Sequence, residues 1–384
     1  MPEGEAVGGW PIVADPFRPF FLGAAMFAML AVPLWIWMFL AGPPMPANFD
    51  PRAWHIHEML FGYLAAVVAG FLFTAIPNWT GRLPLRGTPL GLLALLWLAG
   101  RLVVAVQPGT WWAGAVDSAF LVVIAALAWR EILAGGNWRN APICLLVSLF
   151  AAANILFHAM PGAGLAERLG LAVAAVLIGL VGGRVTPSFS RNWLVKRKAS
   201  SLPAPFGLYD KLALALLAAA CLAWTVEPVG WLAGGLLLAA GIAHAVRLAR
   251  WRPWLVIAEP LLLVLHVGVG WLALALLLMG GAALDLAGLA PTSALHALAI
   301  GAVGSMTLGV MARATLGHTG RALAADRAST AMFAAISLAA LLRVLAPAWP
   351  SAYEAVLVAS GLAWCLAFGL FIVVYGPILT APKS

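Results

Sequence analysis

Apolar residues run along this chain in blocks of roughly 20, the length that carries a helix across a hydrocarbon core of ~30 Å. Short clusters of Pro, Gly and Arg break the blocks. The breaks predict twelve spans. In the first half they lie near 17–41, 55–77, 88–106, 111–130, 141–160 and 166–184. In the second half they lie near 208–226, 228–248, 255–280, 292–315, 328–346 and 352–376. The narrowest break, Glu227-Pro228, separates the seventh from the eighth. Barrel strands are short and alternate in polarity, so the pattern excludes an outer-membrane barrel.

Composition gives the same picture: 64% of the 384 residues are hydrophobic and 9% are charged, with a mean hydropathy of +0.99. A lipid-embedded chain of this kind must satisfy its backbone polar groups within helices. We expect an all-α integral membrane protein, a single polytopic domain over residues 1–384. The opening "MPEGEAVGGW" has no basic segment before its first apolar run, so no cleavable signal is expected.

Charge orients the bundle, because Lys and Arg accumulate on the cytoplasmic side. With the N-terminus in the cytoplasm, only Arg52, Arg101, Arg168 and Arg343 of the 22 basic residues fall outside or near the outer ends. The remainder, from Arg18 through the "KRK" at 196–198 to Lys383, lie inside. Both termini are therefore expected in the cytoplasm. The net charge of +8 is then a consequence of topology, with the lipid bilayer and not a nucleic acid as its partner.

Histidines are the chain's main candidate chemistry. His55 and His57 start the second span, His158 ends the fifth, His266 lies near the middle of the ninth and His296 starts the tenth. His244 and His318 sit at inner ends. An imidazole in a bilayer must be hydrogen-bonded, paired or metal-bound. For the outer group, metal or cofactor ligation is the expectation. If both are helical, His55 and His57 point about 200° apart and could not share one metal, so either they serve different ligands or His55 lies in the loop before the helix; His57 is favoured as the inward ligand. His244 is expected to be structural, and His318 either structural or a second metal or proton-handling position. Cys144, Cys221 and Cys365 lie inside apolar runs and read as unpaired small hydrophobes.

The segment "HEMLFGYLAAVVAGFLFTAIPNWTGR" (57–82) registers without a gap over "HALAIGAVGSMTLGVMARATLGHTGR" (296–321). His57 pairs with His296, Gly62 with Gly301, Gly70 with Gly309, and both segments end in Thr-Gly-Arg. A fainter third copy at 166–191 keeps Gly179 and Arg191. Spans two, six and ten would then be equivalent, in three four-helix arcs about a pseudo-threefold axis. This resembles the catalytic subunit of haem-copper oxidases, in which the second and tenth helices supply haem ligands. By that resemblance His57 and His296 would hold a haem; Arg101 and Arg343, near the outer ends of spans three and eleven, are placed for its propionates and occupy matching places after the repeats if the following loop has grown by three residues.

"DPFRPFFLGA" (15–24), "WHIHEMLFGY" (54–63), "GFLFTAIPNWTGR" (70–82), "GGRVTPSF" (182–189) and the 296–321 segment together resemble the NnrS family, along the whole chain. The resemblance implies a multi-spanning protein of the bacterial inner membrane that contains haem b and copper. It implies a role in nitric oxide metabolism, denitrification and protection from nitrosative stress, with nitric oxide or a metal-nitrosyl as partner. Two ligand arrangements are open. Either His57 and His296 hold haem while His55, His158 and His266 hold copper, or His266 holds haem and His57 joins His55 and His158 on copper.

Whether the protein turns nitric oxide over stays open. The chain has no Cys-x-x-Cys-His haem attachment site, Fe–S motif or nucleotide-binding glycine loop, so reduction would need quinol or an external donor. The rival class is a twelve-helix secondary transporter without a redox cofactor, in which Glu58, Asp117 and Glu259 would be coupling groups.

Overall fold

A computed structural model describes residues 10–42 and 50–382. It has twelve helices long and apolar enough to cross a membrane: α1 (Phe17–Ala41), α2 (Pro51–Thr80), α3 (Thr88–Val106), α4 (Trp111–Ala134), α5 (Trp138–Ala159) and α6 (Leu165–Lys196). After them come α7 (Leu208–Val226), α8 (Trp231–Arg250), α9 (Pro260–Ala283), α10 (Pro291–His318), α11 (Arg327–Ala348) and α12 (Pro350–Thr380). No strand occurs among the described residues. The narrow break at Glu227 does separate two helices. Pro228 lacks an amide hydrogen, and Gly230 turns the chain at a φ of 129°, which a residue with a Cβ rarely adopts. Lys383 and the first nine residues of the "MPEGEAVGGW" segment lie outside the described residues.

Three spans are irregular. α2, α6 and α10 contain π-helical turns at Glu58–Leu64, Ile178–Gly182 and Ala297–Gly304. Such a turn takes up an extra residue, re-aims the side chains after it and leaves backbone carbonyls for other donors. The Trp97 indole of α3 donates to the Gly62 carbonyl at 2.9 Å, and Arg247 of α8 donates to the Gly179 carbonyl at 2.8 Å. In α2 and α10 the π turn starts on the residue after His57 and His296, so the repeated segments share this irregularity in register.

The glycines of the repeat mark close helix contacts. A Cβ added at Gly70 would lie 2.8 Å from the Phe21 ring, and one at Gly309 would lie 2.8 Å from Leu265 and Val264. "DPFRPFFLGA" is explained at the junction of the chain's two ends. Arg18 is fully buried and donates to the carbonyls of Leu379 at 3.0 Å and Ala381 at 2.5 Å, so α1 is fastened to α12. Asp15 pairs with both Arg18 and Arg86. His318 packs its ring against Phe17, with centroids 5.6 Å apart. Arg82 and Arg130 both bind Glu131, which joins the end of α2 to α4. All three cysteines are free thiols.

Candidate metal centre

α2 starts on a built cap. The Asp50 carboxylate accepts from the Ala53 amide at 3.1 Å, and Pro51 fills the first turn, where its missing amide hydrogen costs nothing. That cap sets the rotation of His55, His57 and Glu58. The two histidines do face different neighbours. The His55 ring stacks on Trp35 of α1 at 4.2 Å, while His57 is fully buried among α3, α4 and α5.

Around His57 the polar contacts close into a network. Its Nδ1 is 2.9 Å from Glu58 Oε1, and its Nε2 is 3.0 Å from Asp117 Oδ2 and 3.2 Å from Asn154 Oδ1. His158 places its own Nε2 2.9 Å from the same Asp117 Oδ2. Arg101 of α3 donates to Glu58 Oε2 at 2.7 Å and also to Asp117 Oδ1. The rings of Phe157 and Phe61 lie 5.0 and 5.4 Å from that of His57, so apolar walls exclude water around the charges.

The chemistry of these contacts defines what the site can hold. An ionised carboxylate only accepts hydrogen bonds, yet both ring nitrogens of His57 face carboxylate oxygens. Two carboxylates also meet a single guanidinium. One more positive charge, a proton or a metal ion, balances the group. The ligand atoms of His57, Asp117 and His158 all lie within 4.8 Å of one another, close enough to converge on one ion. Glu58 on Nδ1 is then the partner that fixes the ring's tautomer and orientation, as carboxylates behind metal-bound histidines do.

The other sequence-predicted residues divide differently from expectation. His296 stands with His55 and Arg343, the three lying within electrostatic reach of one another. In that second group His55 Nδ1 and Arg343 Nε and Nη1 are buried with no hydrogen-bond partner among the described residues. Arg343 also lies over the Tyr353 ring, 5.8 Å from its centre. His57 and His296, expected as a pair, therefore belong to separate constellations. Arg101, expected at a propionate, is engaged by Glu58 and Asp117.

His266 is placed beside Ser190 and Trp251, with 3.5 Å to the Ser190 hydroxyl and a ring spacing of 6.5 Å to the indole. Gly268 packs against Met306, which sets this part of α9 about ten residues, on the order of 15 Å of helix rise, from the level of His296. His244, His266 and His296 share one device. Each donates from Nδ1 to the carbonyl four residues earlier, Ala240 at 3.0 Å, Leu262 at 3.1 Å and Thr292 at 2.7 Å. The bond places a proton on Nδ1 and sets the orientation of the ring.

Asn154 was not legible as a site residue, although its spacing of four from His158 sets both on one face of α5. A second buried charge cluster carries no local sequence signal: Arg247 of α8 binds Asp210 of α7 at 2.8 Å and donates to the π turn of α6 at Gly179.

Among curated proteins, none matches the chain. The model of one family, described as NnrS protein, matches residues 11–383, nearly its whole length. The buried His–carboxylate–Arg network thus sits in a twelve-helix membrane protein that belongs to the NnrS family.

Proposed function

We propose that this protein is a metal-containing membrane protein of the nitric oxide response, with His57, Asp117 and His158 as ligands of one transition-metal ion. The observation that carries the reading is the convergence of one ligand atom each from His57, Asp117 and His158 within 4.8 Å, with both imidazole Nε2 atoms on the same Asp117 oxygen. This convergence is backed by Glu58 on the far nitrogen of His57 and by Arg101 on the far oxygen of Asp117. Copper is the metal the family resemblance favours, and imidazole is a good ligand for it. The same donor set of two histidines and one carboxylate suits non-haem iron, so the metal's identity is part of the test.

The second group offers donors suited to a haem with an anionic edge. The buried, unpartnered nitrogens of Arg343 suit a propionate, and His296 offers Nε2 with its tautomer already set. A haem bound there would supply an iron centre for a diatomic ligand. The protein's own part is to hold His296 through Thr292 and to set Arg343 over the Tyr353 ring. The stacking of His55 on Trp35 and its electrostatic proximity to His296 and Arg343 support assigning it to this group. Binding of nitric oxide, its release from a metal-nitrosyl and its reduction with electrons from quinol are the activities such a pair of centres serves.

The transporter reading is weaker on this geometry. Glu58 and Asp117 are tied to Arg101 and two histidines, which leaves neither as an exchangeable coupling carboxylate. The deciding experiment is elemental analysis and an optical spectrum of the full chain purified after expression with haem and copper supplied, followed by nitric oxide titration. A Soret band that shifts with nitric oxide, together with about one copper or iron outside the haem per chain, is the expected result. A metal-free, colourless preparation overturns the proposal.

A further inference from the structure

A partly open apolar cavity of about 90 Å³ lies where α2, α6 and α10 face one another. From α2 it is lined by Leu64, Val67, Val68 and Phe71, spaced as one stripe of a helix. Its α10 wall is Val303, Met306, Thr307 and Val310, at the same distances from His296 as the α2 residues are from His57. The α6 wall is Ala174, Leu177, Ile178 and Val181, which repeats the stripe again. By this spacing the α6 segment corresponds from Glu167, one residue later than Gly179 and Arg191 suggest. The three irregular spans thus turn matching faces toward a common space.

The lining determines what that space accepts. Its one polar side chain is Thr307, whose hydroxyl donates to the Val303 carbonyl at 2.7 Å and meets the Tyr63 hydroxyl at 2.6 Å. A buried water needs two to four polar partners, and the lining side chains offer no uncommitted one. Ions and polar molecules would lose their hydration without replacement. Apolar cavities of roughly 150 Å³ admit benzene or xenon, so this smaller one suits a gas. Leu64 follows His57 by seven residues, on the order of 10 Å along α2.

We infer that this cavity is a binding site for a small uncharged apolar molecule of diatomic size, drawn from the lipid and held within the same bundle as the metal cluster. The class of occupant follows from the lining alone. That nitric oxide is the physiological occupant rests on the reading in the preceding subsection.

Xenon is the test gas, located by anomalous diffraction from crystals of the full chain under xenon pressure. Occupancy between α2, α6 and α10 is expected in the unmodified protein. Ala174→Phe, which fills the space from α6, should lose it while keeping the metal content of the His57 cluster. Val303→Ala, which enlarges the space, should reach the same occupancy at lower pressure, and it serves where Ala174→Phe does not fold. Absence of xenon from the unmodified protein, its retention in Ala174→Phe, or a lipid chain filling the space before pressurisation each overturns the inference. A preparation that binds xenon there but contains no metal defeats the metal reading alone.

Discussion

His57 Nε2 and Asp117 Oδ2 lie 3.0 Å apart, although the two residues are separated by 60 positions and belong to α2 and α4. The same oxygen is shared with His158, so Asp117 is the hub through which α2, α4 and α5 meet.

Removing a member of that hub should remove a metal selectively. His158→Ala and Asp117→Asn are expected to lose the non-haem metal and retain the Soret band, read by elemental analysis beside the optical spectrum. Glu58→Gln keeps the ligands but weakens the group that orients His57, and its metal affinity should fall about 10- to 100-fold. Full metal in all three variants would assign the cluster to protons.

Arg101 is buried between two carboxylates, and breaking a buried pair leaves an uncompensated charge. Arg101→Met should destabilise the folded protein by about 3–5 kcal/mol, measured by unfolding in detergent. Adding Glu58→Gln should return part of that loss, because one stranded charge is then removed. Additive losses would show that Arg101 acts through packing.

The second group predicts a different separation. His296→Ala should lose haem while keeping the non-haem metal, and Arg343→Met should weaken haem retention. His244→Ala, near the other end of the bundle, should leave both contents near the unmodified level. Equal loss across the three, judged by pyridine haemochrome and elemental analysis, would signal general misfolding.

Glycine substitutions test how tightly the α2 site is built. A Cβ at Gly62 would lie 2.7 Å from the Arg101 guanidinium and 3.0 Å from Glu58 Oε2. Gly62→Ala should therefore lower metal affinity. At Gly235 in α8 nothing lies within 4 Å, so Gly235→Ala should be neutral or gain up to about 1 kcal/mol from helix propensity. Both effects are read from metal titration and thermal unfolding of the same preparations.

Orientation is tested by reporters. A reporter fused at the C-terminus should be active only as a cytoplasmic one, and one inserted at Gly109, in the turn between α3 and α4, only as an external one. The reverse result would move the metal cluster to the cytoplasmic face.

The twelve spans were legible because lipid imposes a simple rule: about 20 apolar residues per crossing, with breaks of Pro, Gly and Arg. Extensions such as Lys196 at the end of α6 were not, since a helix that leaves the hydrocarbon continues on polar residues. For the site, His57, Glu58, Asp117 and Arg101 all drew notice as polar residues in apolar surroundings, and the structure puts them in one network. Their partnership was illegible. Periodicity places a residue on a face of its own helix but does not say which helix that face meets. His55 illustrates the limit: helix periodicity turns it away from His57, while its neighbours Trp35 and His296, on two distant spans, lie beyond any local pattern.

Arg18, which fastens α1 to α12, closes the bundle only when the last helix is in place, and this sets an order of manufacture. The His57 network draws on residues 57 to 158, so its parts are all present while more than half of the chain awaits synthesis. The group of His55, His296 and Arg343 joins an early helix to two late ones and is incomplete until α11 has been inserted. On the proposed reading, delivery of an ion and a haem would then be sequential, with the smaller ion able to load during biogenesis and the larger group only after translation has nearly finished.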